Sequence, residues 1–341
     1  MRRLGALVAA VAMVAGALWV RGRLDDRGDG DDGPGPAAER PTLLCATELA
    51  ALCTGLEVDG LVEDPGTTLD RVAAGEPIGA DGWLVAEPWP EMAAVVDAQG
   101  EVPDLEVGEV LARSPAVLVV ATDREQALRA DCGAEPGWAC VGAAAGDRWE
   151  AHGGEPTWGD VRVTHAGPDT VPGLAVLAAA AAGFLGTTAY ATNDLGTPEF
   201  DDWFTGLERT AAANAGAGRN QVRQLLAAGP AVLSVVGALE AEAGPQVAAA
   251  ADPQGAVLYP SPMVTADVVL ATVPGADGAD ALRDALGTTE ARDLLAELGW
   301  RVRGAEGLPG VGSFDELEPG NGLPGAGVLV ALRQRADEAR R

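Results

Sequence analysis

From Pro41 onward, short apolar runs of strand length alternate with longer stretches of helical spacing. Thr42-Leu43-Leu44 predicts a strand, and Thr47 stands where it would cap a helix from Glu48 to Gly55. Trp83-Leu84-Val85 predicts a second strand, with Pro88-Trp89-Pro90 directly after it. Residues 116–121 (AVLVVA) form a continuous apolar run, the pattern of a strand buried on both faces. Glu125 to Arg129 reads as helix and Val161 to Thr164 as strand. Pro172 to Phe184 predicts an apolar helix of small residues, with Thr170 as its cap and Pro172 in its first turn. Asn220 to Ala228 is an amphipathic helix that Gly229-Pro230 breaks. Residues 231–236 (AVLSVV) predict a strand, followed by a helix near Leu239 to Glu242. Val257 to Tyr259 and Ala266 to Val273 predict strands, and residues 277–298 one or two helices broken near Gly287. Residues 304–327 read as Gly/Pro-rich coil. Such alternation predicts an α/β fold with largely parallel sheets.

The first 40 residues follow a different pattern. Arg2-Arg3 precede an apolar run over residues 4–20, which Arg21 and Arg23 close. The run fits an uncleaved membrane anchor or a signal segment with a small-residue site at Ala15-Gly16-Ala17. The basic N-terminal flank favours a cytoplasmic start, so both readings export the rest of the chain. Residues 24–40 alternate Asp with Gly and then Pro, with almost nothing apolar, and read as a disordered spacer. The sequence therefore divides into an anchor or signal (1–23), a spacer (24–40) and two lobes, one of 41–113 with 261–341 and one of 114–260.

Composition narrows the chemistry. The 341 residues carry 23 Arg, no Lys and 51 acidic residues, a net charge of −28. Such a surface repels phosphate backbones, which argues against nucleic acid as a partner. The four Cys form two local pairs, Cys45 with Cys53 and Cys132 with Cys140. In an exported chain these predict two disulfides, each closing a short loop. There is no G-x-S-x-G elbow, no phosphate-binding G-x-x-x-x-G-K-[ST] loop and no H-E-x-x-H. With two His and four Ser in the chain, no enzyme, cofactor or metal site is expected. The acidic group Glu199, Asp201 and Asp202 reads as a solvated face.

Two helix starts stand out, each directly after a strand: residues 45–49 (CATEL) and 164–170 (THAGPDT). In open α/β folds, ligands settle at the carboxyl ends of strands, where helix N-termini point. Two such turns, one from each half of the chain, would face each other across a cleft. Glu48 in the first of them opposes an anionic ligand.

The order of segments resembles bacterial extracellular solute-binding proteins of the type II periplasmic-binding fold, in a branch common among actinobacteria. The residues that carry it are TLLCATELA from Thr42, DGWLVAEPWP from Asp81, LARSPAVLVV from Leu111, VTHAGPDTVPGLAVLAAA from Val163, GPAVLSVV from Gly229, VLYPSP from Val257 and LLAELGW from Leu294. The resemblance implies two α/β lobes joined by two crossing strands. It also implies a small solute held between the lobes, with Thr47, Asp81, Trp83, His165 and Thr170 as ligand-binding residues. The implied role is lobe closure on that solute and its presentation to a membrane permease or a sensor. A second reading is an envelope module of the same fold that acts through protein contacts without a transported ligand.

Overall fold

The computed structural model describes residues 40–98, 100, 103–215, 220–250, 255–303 and 320–341. The expected membrane segment at residues 4–20 and nearly all of the spacer lie outside these. Among the described residues no helix is long and apolar enough to cross a membrane.

Among the described residues nine strands form one curled sheet: β1 (Thr42–Ala46), β2 (Asp59–Glu63), β3 (Gly82–Ala86), β4 (Glu106–Val107), β5 (Ala112–Ala121), β6 (Val163–His165), β7 (Val235–Leu239), β8 (Gly255–Leu258) and β9 (Thr265–Thr272). Their order is β2-β1-β3-β9-β5-β7-β6, with β4 on β9 and β8 on β5. The sheet divides at β5. Its first residues pair with β9, Ala112 opposite Val268, whereas the later ones pair with β7 and β8, Ala116 opposite Leu239 and Leu118 opposite Leu258. The chain thus passes from the first lobe to the second along β5 and returns through the β8–β9 connection.

The run at 116–121 shows why it is apolar throughout. Successive side chains of a strand point to opposite faces. Leu118 and Val120 join the main core, while Val117 and Val119 join a second core with Val222, Leu225 and Val247. The expectation of largely parallel sheets is corrected. Only β1–β2, β1–β3 and β6–β7 are parallel, and every pair involving β5 or β9 runs antiparallel. The two crossing connections enforce this, because each delivers a strand into the other lobe's sheet against the local direction.

Twelve α-helices are described: α1 (Ala50–Gly55), α2 (Pro65–Ala73), α3 (Trp89–Val96), α4 (Thr122–Cys132), α5 (Trp138–Ala144), α6 (Val171–Leu185), α7 (Pro198–Asn214), α8 (Gln221–Ala228), α9 (Glu240–Ala249), α10 (Ala279–Leu286), α11 (Thr289–Glu297) and α12 (Ala326–Arg340). Helix α6 is buried from Val171 through Ala182, as a helix apolar on all sides must be. Its Thr170 cap accepts from Gly173 N at 3.1 Å. Thr47 does not cap α1. A 3-10 turn over Thr47–Leu49 comes first, and the Thr47 hydroxyl donates to Asp64 Oδ1 at 2.6 Å instead.

Helix α12 packs on α3 of the first lobe and on α6 and α7 of the second. Arg333 on it bonds Asp70 on α2 at 3.0 Å and Asp169 in the β6–α6 loop at 2.7 Å, so one guanidinium ties the two lobes. Beside it Gly66 N donates to Asp169 O at 2.8 Å. A Cβ on Gly66 would lie 2.4 Å from Asp169 Oδ1, so only glycine permits this approach. Both expected disulfides are present. Cys45–Cys53 ties β1 to α1, and Cys132–Cys140 ties α4 to α5. Each contributes about 2–3 kcal/mol by loop entropy.

Candidate functional site

A cavity of about 660 Å³ opens where three strand-to-helix turns meet the end of α11. The first lobe supplies Thr47 and Glu48 after β1, and Glu297, Leu298 and Trp300 at the end of α11 and just after it. The second lobe supplies Ala166, Gly167, Thr170 and Pro172 between β6 and α6, and Leu239, Ala241, Glu242, Pro245 and Gln246 around the start of α9. Ala215, Asn220 and Gln221 complete that side at the start of α8. Residues 216–219 lie outside the described residues.

Each wall has a local cause. The β6–α6 loop doubles back on its own helix: the Thr170 hydroxyl donates to Gly167 O at 2.9 Å. A Cβ on Gly173 would sit 1.7 Å from that same carbonyl oxygen, so glycine alone fits the turn. Asn220 caps α8 by accepting from Arg223 N at 2.8 Å. Helix α9 begins at Glu240, whose carboxylate is fully buried and held by Arg301 at 2.8 Å. Ala241 N donates to Ser114 Oγ on β5 at 2.9 Å. Gly299, at φ +90°, brings the end of α11 against Ala241 and Pro245.

Of the five residues the resemblance points to, Thr47 and Thr170 line the cavity and the other three do not. Trp83 is corrected to a core residue with 0% exposure: β3 lies between β1 and β9, and the indole is enclosed by that central position. Asp81 is corrected to a strand-end brace. Its carboxylate accepts from Thr42 N at 2.8 Å, and its backbone bonds Thr42 and Val273. His165 is corrected to a member of a buried ionic cluster. Its Nε2 lies 2.8 Å from Glu208 Oε1 and its Nδ1 2.9 Å from the Ala166 carbonyl, with Arg340 Nη2 3.1 Å from Nδ1. Burial works to raise the Glu208 carboxyl, but the charges of His165 and Arg340 outweigh it and hold the group below its ordinary value. Sequence reasoning missed Glu242, Gln246, Gln221 and Trp300 as cavity residues. The only available signal was a third strand-to-helix turn, at β7–α9.

Glu48 and Glu242 face the cavity from opposite lobes, with Glu297 at an exposed position, and no Arg or His is among its described lining residues. Burial, and secondarily the Glu48 charge, push the Glu242 carboxyl up from 4.5 to about 7. The folded state therefore binds this proton more tightly than the unfolded chain. Its contribution to stability falls as pH rises from 4.5 toward 7 and is least above that. Glu242→Gln is accordingly expected to raise the melting temperature at pH well above 7 and to leave it unchanged well below 4.5, where the carboxyl is neutral in both the folded and the unfolded chain. Equal melting temperatures across that range would show that Glu242 carries no such strain.

No protein-family model and no curated protein matches the sequence. Solved structures do resemble the fold. Iron-bound HitA from Pseudomonas aeruginosa superposes with a TM-score of 0.57 at 14% identity, covering 87% of this chain and 99% of that one. The periplasmic binding protein AfuA from Actinobacillus pleuropneumoniae, with fructose-6-phosphate bound, gives 0.54 at 12% identity, over 89% of this chain and 97% of that one. A periplasmic thiamin binding protein gives 0.54 at 13% identity, over 90% and 99%. The chain has the two-lobed α/β fold of the type II periplasmic binding proteins, with two interlobe crossings.

Proposed function

We propose that the chain is a membrane-tethered extracytoplasmic solute-binding protein that closes its two lobes on a small solute and serves a membrane permease or a sensor. The observation that carries this is the cavity of about 660 Å³ whose wall comes from both lobes at strand-to-helix turns. A volume of that size suits a metabolite or other drug-sized molecule. Thr47 and Thr170 are its ligand-facing hydroxyls from opposite lobes. The two crossings are the hinges, and the Gly66–Asp169 approach with Arg333 is the contact that forms as the lobes meet. The N-terminal Arg2-Arg3, the apolar run of 4–20 and the acidic spacer supply the tether and the reach from the membrane.

Screening the purified full chain by thermal shift against amino acids, sugars, peptides, amines, metal ions and oxyanions tests the reading. One chemical class should raise the melting temperature, and Ala241→Trp, which fills the cavity, should abolish the shift. If no class stabilises the wild type and native mass spectrometry finds no co-purifying solute, the solute-binding reading fails. The envelope module acting through protein contacts then takes its place.

A further inference from the structure

We propose that Cys132, Cys140 and Asp131 form a site for a thiophilic divalent cation, zinc by its chemistry, which opens when a dithiol reduces the Cys132–Cys140 disulfide. The site belongs to the second lobe, and none of its residues is in the cavity wall, so it stands apart from the solute-binding reading.

The two disulfides differ in their surroundings. Cys45 is 0% and Cys53 4% exposed, enclosed between β1 and α1. Cys132, at the end of α4, and Cys140, in the first turn of α5, are both partly exposed. A reductant must reach the sulfur that it attacks, so it meets the second pair first. One thiolate of the dithiol attacks a sulfur of the disulfide, and its second thiolate then breaks the mixed disulfide. The dithiol gives up two electrons and two protons and leaves as its own disulfide, and Cys132 and Cys140 end as thiols. Helices α4 and α5 stay anchored by Leu128 and Trp138, both fully buried, with the two Cys Cα atoms 5.7 Å apart. The sulfurs therefore remain neighbours once the bond between them is gone.

A third donor already faces them. A carboxylate oxygen of Asp131 and the two sulfurs lie within 4.8 Å of one another, and Asp131 Oδ2 is 3.9 Å from Cys140 Sγ. Zinc holds thiolate at about 2.3 Å and carboxylate at about 2.0–2.2 Å, so one ion reaches all three after side-chain rotations. Asp131 is itself oriented. His152, in the 3-10 turn Trp149–His152, donates from Nδ1 to Asp131 Oδ2 at 2.7 Å, and Asp147 Oδ2 stands 3.4 Å from its Nε2 on the other side. Outer hydrogen bonds of this kind hold metal-ligating carboxylates in place. Water completes the tetrahedron, as in other sites with three protein ligands. The thiolate is the ligand, so zinc releases a proton from each Cys as it binds. Two thiolates beside one carboxylate select zinc over magnesium and calcium, which take oxygen donors. The Cys spacing alone carries no metal signature, and Asp131 with His152 supplies it in space. The other two Cys of the chain are buried in the first lobe, and its other His is held by Glu208.

The test uses the full chain, treated with dithiothreitol and then freed of it under anaerobic conditions. Thiol counting on the folded chain should find Cys132 and Cys140 reactive, with Cys45 and Cys53 appearing only after unfolding. The reduced chain should take up one zinc ion in competition with a chromophoric chelator, and cobalt(II) should give thiolate-to-metal charge-transfer absorption. The oxidised chain should do neither, and zinc should raise the melting temperature of the reduced chain alone. His152→Gln should weaken zinc about tenfold and Asp131→Asn at least as much. Cys132→Ser/Cys140→Ser should abolish the cobalt band. Equal zinc affinity in the oxidised and reduced chains means adsorption on the acidic surface and overturns the proposal. A disulfide that dithiothreitol does not open in the folded chain, a reduced chain that binds no zinc, or undiminished affinity in Asp131→Asn or His152→Gln overturns it equally. So does a loss of cooperative melting on reduction that zinc fails to restore.

Discussion

Glu208→Ala is expected to cost about 3–5 kcal/mol of folding stability, as loss of one partner from a buried ion pair does. The Glu208 side chain is 0% exposed and that of His165 1%, so no water replaces the missing carboxylate. Its Oε1 meets His165 at 2.8 Å and its Oε2 meets Arg340 at 2.7 Å, so one residue holds β6, α7 and α12 together. The pair Arg335–Asp201 joins the same two helices at 2.6 Å but is 32% and 58% exposed. Asp201→Ala should cost less than about 1 kcal/mol. Urea unfolding of the two variants side by side measures the contrast. Because Glu208 is held below its ordinary value of 4.5 in the fold, its contribution is complete above that pH and disappears as pH falls through the lowered value. The gap between wild type and Glu208→Ala should therefore close in acid. Equal losses in Glu208→Ala and Asp201→Ala would show that burial of the first pair has no energetic consequence.

The features legible in the sequence are those with a local cause. The two disulfides join cysteines eight positions apart. The α6 cap is Thr170 acting on Gly173, three residues away. Helices α10 and α11 break at Gly287-Thr288 as their spacing predicts, with Thr288 capping the second. The crossing strand is legible because burial on both faces leaves no polar position in 116–121.

What stayed hidden depends on distant partners. Alternation marks a strand but not its direction, so the antiparallel course of β9 was invisible. The apolar run 231–236 suggested a strand there, yet residues 231–234 fold back from Gly229 as turn and β7 runs Val235–Leu239. The helix expected near Leu239 to Glu242 is present as α9 (Glu240–Ala249), but its sequence carries no sign that Glu242 and Gln246 line the cavity. Helix α7 mixes acidic residues with Phe200, Phe204 and Leu207, and the exposed Glu199, Asp201 and Asp202 masked its buried face. Helix α12 follows a Gly/Pro-rich stretch that reads as coil, and its purpose is legible only in space, where it spans both lobes. His165 was visible as a strand-end residue, but its partners Glu208 and Arg340 lie 43 and 175 positions away.

Trp83→Ala is expected to cost about 3–5 kcal/mol and to leave the affinity of the folded protein for any cavity ligand unchanged. The resemblance alone would give the reverse, weakened binding with little loss of stability. Position decides between them. Trp83 pairs with Leu44 of β1 and Ala271 of β9 in the interior of the first lobe's sheet, is 0% exposed, and is absent from the cavity wall. Truncation there leaves a void that flanking strands on both sides cannot collapse into, which is the costly case. Trp83→Phe separates size from chemistry. The indole Nε1 is buried without a hydrogen-bond partner among the described residues, so phenylalanine loses packing but also removes an unsatisfied donor, a group that costs about 1–3 kcal/mol to bury. Its net loss should be well below that of alanine. Because Trp83 lies in the first lobe and Glu208 in the second, the pair also reports on cooperativity. With α12 tying the lobes, both variants should shift one common urea transition. Two separate transitions, each moved by one variant, would mean that α12 and Arg333 do not couple the lobes, and a Trp83→Ala protein that stays stable but loses ligand would move Trp83 back into the cleft.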